Sequence, residues 1–133
     1  MAKKVSNKVT KELKARAFEA SRLFLQQTKG FTIIDEFPED NTFVASEYDP
    51  FDDKDTIHFI QVTVTFSDGE GFKPIHVDTV KRIELESQAM QWLANYDGDD
   101  AVITFDQCDL SVLNNNKAML RYANNILFHG GDK

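Results

Sequence analysis

Cysteine is nearly absent from this chain, and Cys108 is the only one. That excludes an internal disulfide and any zinc site built from several thiolates. Set in an apolar, strand-like run, Cys108 reads as packing rather than as a nucleophile. Long apolar runs are missing too. Stretches such as Phe59-Ile60-Gln61-Val62-Thr63-Val64 fall far short of the roughly 20 residues that a membrane-spanning helix needs, so no membrane partner is expected. The first residues, Met1-Ala2-Lys3-Lys4-Val5-Ser6-Asn7-Lys8, carry positive charge without an apolar segment or a small-residue cleavage pattern. A cytoplasmic location is expected. With six glycines the chain has no phosphate-cradling loop, and no Ser-His-Asp signature is present. His58, His76 and His129 are too scattered for a zinc site, and a strand residue such as His58 reads as a structural hydrogen-bonding group.

What is present is a core. Of the 133 residues 41% are hydrophobic and eleven are Phe, enough for one domain spanning 1–133. The net charge of −7 is unevenly spread: Lys3, Lys4, Lys8, Lys11, Lys14 and Arg16 against Glu12 alone give residues 1–16 a charge of +5, leaving −12 for the rest. An acidic body repels phosphate backbones, which weighs against a broad nucleic-acid face, although the basic N-terminal helix could still touch phosphates. The plainer reading of that arm is a solvated basic face.

Val9, Leu13, Ala17, Ala20 and Phe24 recur at helical steps within residues 5–28, and Gly30 is placed to end that helix. Strands are expected over 31–37, 42–45 and 56–66, with turns at Pro38 to Asn41 and at the acidic stretch Asp49, Asp52, Asp53 and Asp55. That stretch lacks the glycine and terminal glutamate of a calcium loop and reads as a solvated turn. Asp78 or Thr79 can cap a helix reaching about Tyr96, in which Trp92 and Tyr96 are core or partner-facing. A fourth strand is expected over 101–113. Met119, Tyr122, Ala123, Ile126 and Leu127 suggest a last helix, and residues 129–133 read as a frayed tail. The order α-β-β-β-α-β-α predicts an α/β fold with a mixed sheet of four strands, or five, flanked by helices.

Several local patterns resemble the YraN-like family of bacterial proteins, which belongs with Holliday-junction-resolvase-like, restriction-endonuclease-like nucleases. Glu19 precedes Gly30-Phe31-Thr32-Ile33-Ile34; Ser46-Glu47-Tyr48-Asp49 resembles the family's Gly-Glu-Ile-Asp signature; Phe59-Ile60-Gln61-Val62-Thr63 stands where the family has Phe-Val-Glu-Val-Lys; Val77-Asp78-Thr79-Val80-Lys81 and Thr104-Phe105-Asp106 resemble its later motifs. The resemblance covers about residues 15–127 and implies a PD-(D/E)xK site, in which carboxylates hold Mg²⁺ and a lysine helps activate water.

Here that site is degenerate. Asp49, Gln61 and Thr63 occupy the catalytic positions, Glu19, Glu47, Asp49 and Gln61 are the vestigial metal ligands, and Lys81, or Lys73, is the candidate for a relocated lysine. The resemblance places Asp49 and Gln61 side by side on adjacent strands, facing one cleft with Glu19. Thr63 supplies neither the charge nor the proton transfer of an ammonium group, so Thr63→Lys with Gln61→Glu is the smallest change that would rebuild the site. Three functions stand as expectations. The first is a catalytically degenerate nuclease-fold protein acting through nucleic-acid or protein binding, with no cofactor. The second is an active nuclease using Mg²⁺ or Mn²⁺ and a relocated lysine. The third is a purely protein-binding module whose attractive surface is the acidic turn at 49–55.

Overall fold

The computed structural model describes residues 11–66, 71–98, 101–114 and 117–128. The first ten residues of the basic arm, the loop at 67–70, part of the turn at 99–100, Asn115 and Asn116, and the tail at 129–133 lie outside the described residues. Helix α1 (Lys11–Leu23) runs into a π-helical turn (Phe24–Thr28). Gly30, at φ 72°, then ends it, and the Phe31 N–H returns to the Leu25 carbonyl at 2.9 Å. Three strands come next, β1 (Thr32–Phe37), β2 (Thr42–Asp49) and β3 (Lys54–Phe66). Helix α2 (Thr79–Leu93) leads to β4 (Ala101–Asn114) and β5 (Lys117–Ala123), and a 3₁₀ turn (Ile126–Phe128) closes the described chain. Asp78 caps α2, its Oδ1 accepting the Lys81 N–H at 2.8 Å.

The sheet order is β1-β2-β3-β4-β5. β1, β2 and β3 form an antiparallel meander, α2 carries the chain over to β4 parallel to β3, and β5 returns antiparallel to β4. The fold is therefore α/β with a mixed sheet, as expected, built from five strands and two helices. The expected last helix is corrected: residues 117–123 form a strand. Met119, Tyr122 and Ala123 fit a helical spacing, but β4 without a neighbour would leave an unpaired edge beside buried Cys108 and Leu110. Pairing with β5 satisfies that edge and sets Leu120 opposite Leu110 and Arg121 opposite Asp109.

Each face of the sheet carries a helix. Ala17, Phe18 and Leu25 pack on Phe43, Ala45, Ile60, Val62, Cys108 and Leu110, with the Phe18 and Phe43 rings stacked at 4.0 Å. On the other face Leu85 and Ala89 pack on Val44, Ile57, Phe59 and Phe105. Strand alternation sorts the side chains between the two layers. The meander has one irregularity: β1 shifts register between Ile33 and Asp35, so Ile33 pairs with Ala45 and Asp35 with Val44. The bulge turns Asp35 towards α2. Among the described residues no helix is long and apolar enough to cross a membrane.

Candidate functional site

The β2–β3 hairpin decides where the expected site residues go. Its register runs without interruption from Asp49 opposite Lys54 to Thr42 opposite Gln61. Each odd-numbered residue of β2 thus shares a face with even-numbered residues of β3. Asp49 and Gln61 lie on opposite faces and, at roughly 3.4 Å per residue, about 24 Å apart along the strands. The expectation that they stand side by side is overturned. Counting outward from the Pro50 to Asp53 turn yields this register directly from sequence, whereas aligning by the family signature does not.

The other expected ligands are equally dispersed. Glu19 is exposed on α1 and bound by Arg22, which also holds Glu36 at 2.7 and 2.8 Å. Hydrogen bonding to Glu36 raises the Arg22 pKa, and the same bond lowers that of Glu36. Asp49 Oδ1 accepts the Phe51 N–H at 2.9 Å inside the turn. Lys81 sits in the first turn of α2. Glu47 reaches His58 Nε2 at 3.0 Å.

That last contact opens onto a network that the sequence did not reveal. The fully buried Asp106 accepts from His58 Nδ1 at 2.6 Å, from the Tyr122 hydroxyl and from the Asn125 N–H at 2.8 Å. Burial works to raise the Asp106 pKa, but these bonds outweigh it and hold the carboxyl below its ordinary value. Burial likewise works to lower that of His58, and the two carboxylates more than reverse it. Both ring nitrogens are engaged, and the ring stacks on Phe31 at 4.3 Å. With both ring nitrogens bonded to carboxylates, His58 braces β2, β3 and β4. Burial also pushes the Cys108 thiol up to about 11, in keeping with a packing role.

Gln61 and Thr63 do share a face, the one covered by α2. Thr63 opens onto a cleft of about 270 Å³ beyond the start of that helix, lined also by Lys73, His76, Gln107 and Arg121. Lys73, one of the two candidate replacement lysines, therefore comes to the same cleft as Thr63. The carboxylate there is Asp109, and it is saturated. Oδ1 accepts from the Thr63 hydroxyl and from Gln107 Nε2 at 2.7 Å, and Oδ2 accepts from Arg121 Nε at 2.9 Å and Nη2 at 2.5 Å.

Comparison with known proteins adds nothing to this geometry. No family model, no curated protein and no solved structure matches the chain.

A hard divalent cation needs several oxygen ligands converging within about 2.0–2.6 Å of one point. The residues named for that task lie on both faces of the sheet and on α1. Among the described residues no group of three or more His, Cys, Asp or Glu side chains is placed to hold a metal ion. The donor set does not fit Mg²⁺ or Mn²⁺. The signal that could have revealed Asp106 and Asp109 was two aspartates within the apolar run of a central strand, each requiring a buried partner.

Proposed function

We propose that this chain is a catalytically degenerate, restriction-endonuclease-like protein that acts by binding a protein partner through the β2–β3 hairpin. The order of three antiparallel strands, a crossover helix and a parallel fourth strand supports the nuclease-like frame. The carboxylates matched to the family motifs do not converge, so the motif alignment is out of register and the reading rests on no metal chemistry. Lys81 as a substitute for the missing lysine loses its purpose once no metal-binding carboxylates converge.

The observation that carries the binding reading is Phe51, 96% exposed at the hairpin tip. Aromatic side chains are enriched among interface anchors, and this ring is presented almost whole. Tyr48, 58% exposed, stands on the same hairpin, its hydroxyl donating to Asp53 at 2.6 Å. Asp49 fixes the turn from within through the Phe51 N–H. The tip is thus an ordered aromatic anchor ringed by Asp49, Asp52, Asp53 and Asp55, and its complement is a basic surface with an apolar pocket. Nucleic acid is the poorer partner, because the acidic ring would meet phosphates.

A photo-crosslinking residue introduced in place of Phe51, with one in place of exposed Gln26 as control, tests this in cells that produce the protein. Discrete protein adducts at position 51 and not at 26 are expected. Identical patterns at both positions, or salt-sensitive DNA binding that survives Phe51→Ser, would contradict it.

A further inference from the structure

A larger cleft lies elsewhere, between the end of β1 and the C-terminal half of α2, with a volume of about 550 Å³. Its wall is aromatic. Trp92 stacks on Tyr96 at 5.0 Å and meets Phe59 edge-on at 5.6 Å, and Phe37 completes the apolar lining. Its rim is acidic, with Asp35, Asp40 and Asp97, and none of the described side chains lining it is cationic. The register shift in β1 is what brings Asp35 here, where its Oδ2 accepts the Trp92 indole N–H at 2.8 Å and holds the ring in place.

Three independent sources of negative potential converge on this space. Aromatic faces carry the negative lobe of the ring quadrupole. The carboxylates add formal charge. The C-terminal end of α2 adds the negative pole of its dipole, and no basic residue in the last turn offsets it. Gln88, Gln91 and Asn95 supply amides at the mouth.

We infer that this cleft is a binding site for an organic cation, a guanidinium or alkylammonium group of the kind carried by arginine or lysine side chains and by polyamines. A hydrated divalent ion gains little from aromatic walls, whereas a weakly hydrated cation with an apolar skirt gains from both wall and rim. The volume falls within the range of sites that enclose small ligands. The cleft adjoins Thr42, the end of β2 remote from the hairpin tip, so its occupancy is independent of Phe51.

Trp92 is the sole tryptophan of the chain, which makes its emission a direct report on this cleft. The full-length protein is titrated at constant ionic strength with N-acetyl-arginine amide, N-acetyl-lysine amide, spermidine and the neutral N-acetyl-citrulline amide. A saturable change is expected with the cations and none with citrulline. Asp40→Asn with Asp97→Asn, both at exposed positions, should weaken binding by about tenfold or more with the unliganded spectrum unaltered. Tighter binding of the amino-acid amides than of spermidine assigns the site to a partner's side chain, and the reverse order assigns it to a free polyamine. An equal response to citrulline, an affinity unmoved by the double substitution, or no saturable response to any cation overturns the inference.

Discussion

His58 Nδ1 lies 2.6 Å from Oδ2 of the fully buried Asp106, joining β3 to β4 across 48 residues of sequence. Breaking a buried ion pair by removing one partner typically costs about 3–5 kcal/mol, because the remaining charge is left uncompensated. The pair also makes stability depend on pH. The His58 pKa is raised above its ordinary 6.5, so its contribution is full below that value and is lost as pH climbs through the raised one. The Asp106 pKa is depressed below its ordinary 3.8, so its contribution is full above that value and is lost as pH falls through the depressed one. Denaturant unfolding at a series of pH values should show this pair contributing fully between those limits, with a decline on the alkaline side of 6.5. His58→Gln should flatten the alkaline decline, whatever its effect on absolute stability.

Phe43 and Phe51 form a matched comparison. Phe43 is fully buried against Phe18, and Phe43→Ala is expected to cost about 3–5 kcal/mol. Phe51→Ala removes a ring that is almost wholly in water and should change stability by less than about 0.5 kcal/mol. Equal destabilisation by both would show that the hairpin tip is packed rather than presented.

Cys108 is fully buried, with a thiol pKa pushed up to about 11. It should react with an aromatic disulfide reagent only as fast as the protein opens, and at the rate of a free thiol once unfolded in denaturant. Prompt reaction in native buffer would contradict the burial.

Periodicity made much of the fold legible. α1 and α2 show apolar residues at helical steps, the first four strands show β-rich runs between turns, and one crossover helix implies a parallel pair. β5 was not legible, because residues 119, 122 and 123 fit a helical stripe while Leu120 and Tyr122 fit a strand. Only the open edge of β4, a tertiary fact, decides between them. The candidate site failed for a different reason. Matching Asp49 and Gln61 to family motifs presumes a register, and one strand residue more or less moves a side chain to the other face. His58 was legible as a hydrogen-bonding residue, but its partner Asp106 depends on the pairing of distant strands. The bulge that aims Asp35 at Trp92 has no marker in the string Thr32-Ile33-Ile34-Asp35.

The same register determines what a rebuilt site would do. Gln61→Glu with Thr63→Lys restores the charges on β3, but the nearest acids of β2 remain on the other face. No cleavage activity is expected from the double variant.

The central claim is that this frame binds and does not cut. Incubating purified wild-type protein and the Gln61→Glu/Thr63→Lys variant with flapped, branched and single-stranded DNA, in Mg²⁺ and in Mn²⁺, tests it most directly. Both should leave every substrate intact. Metal-dependent cleavage by the wild type that disappears on Asp49→Ala would contradict the account, since it would show metal chemistry at a carboxylate that the register separates from Gln61 and Thr63.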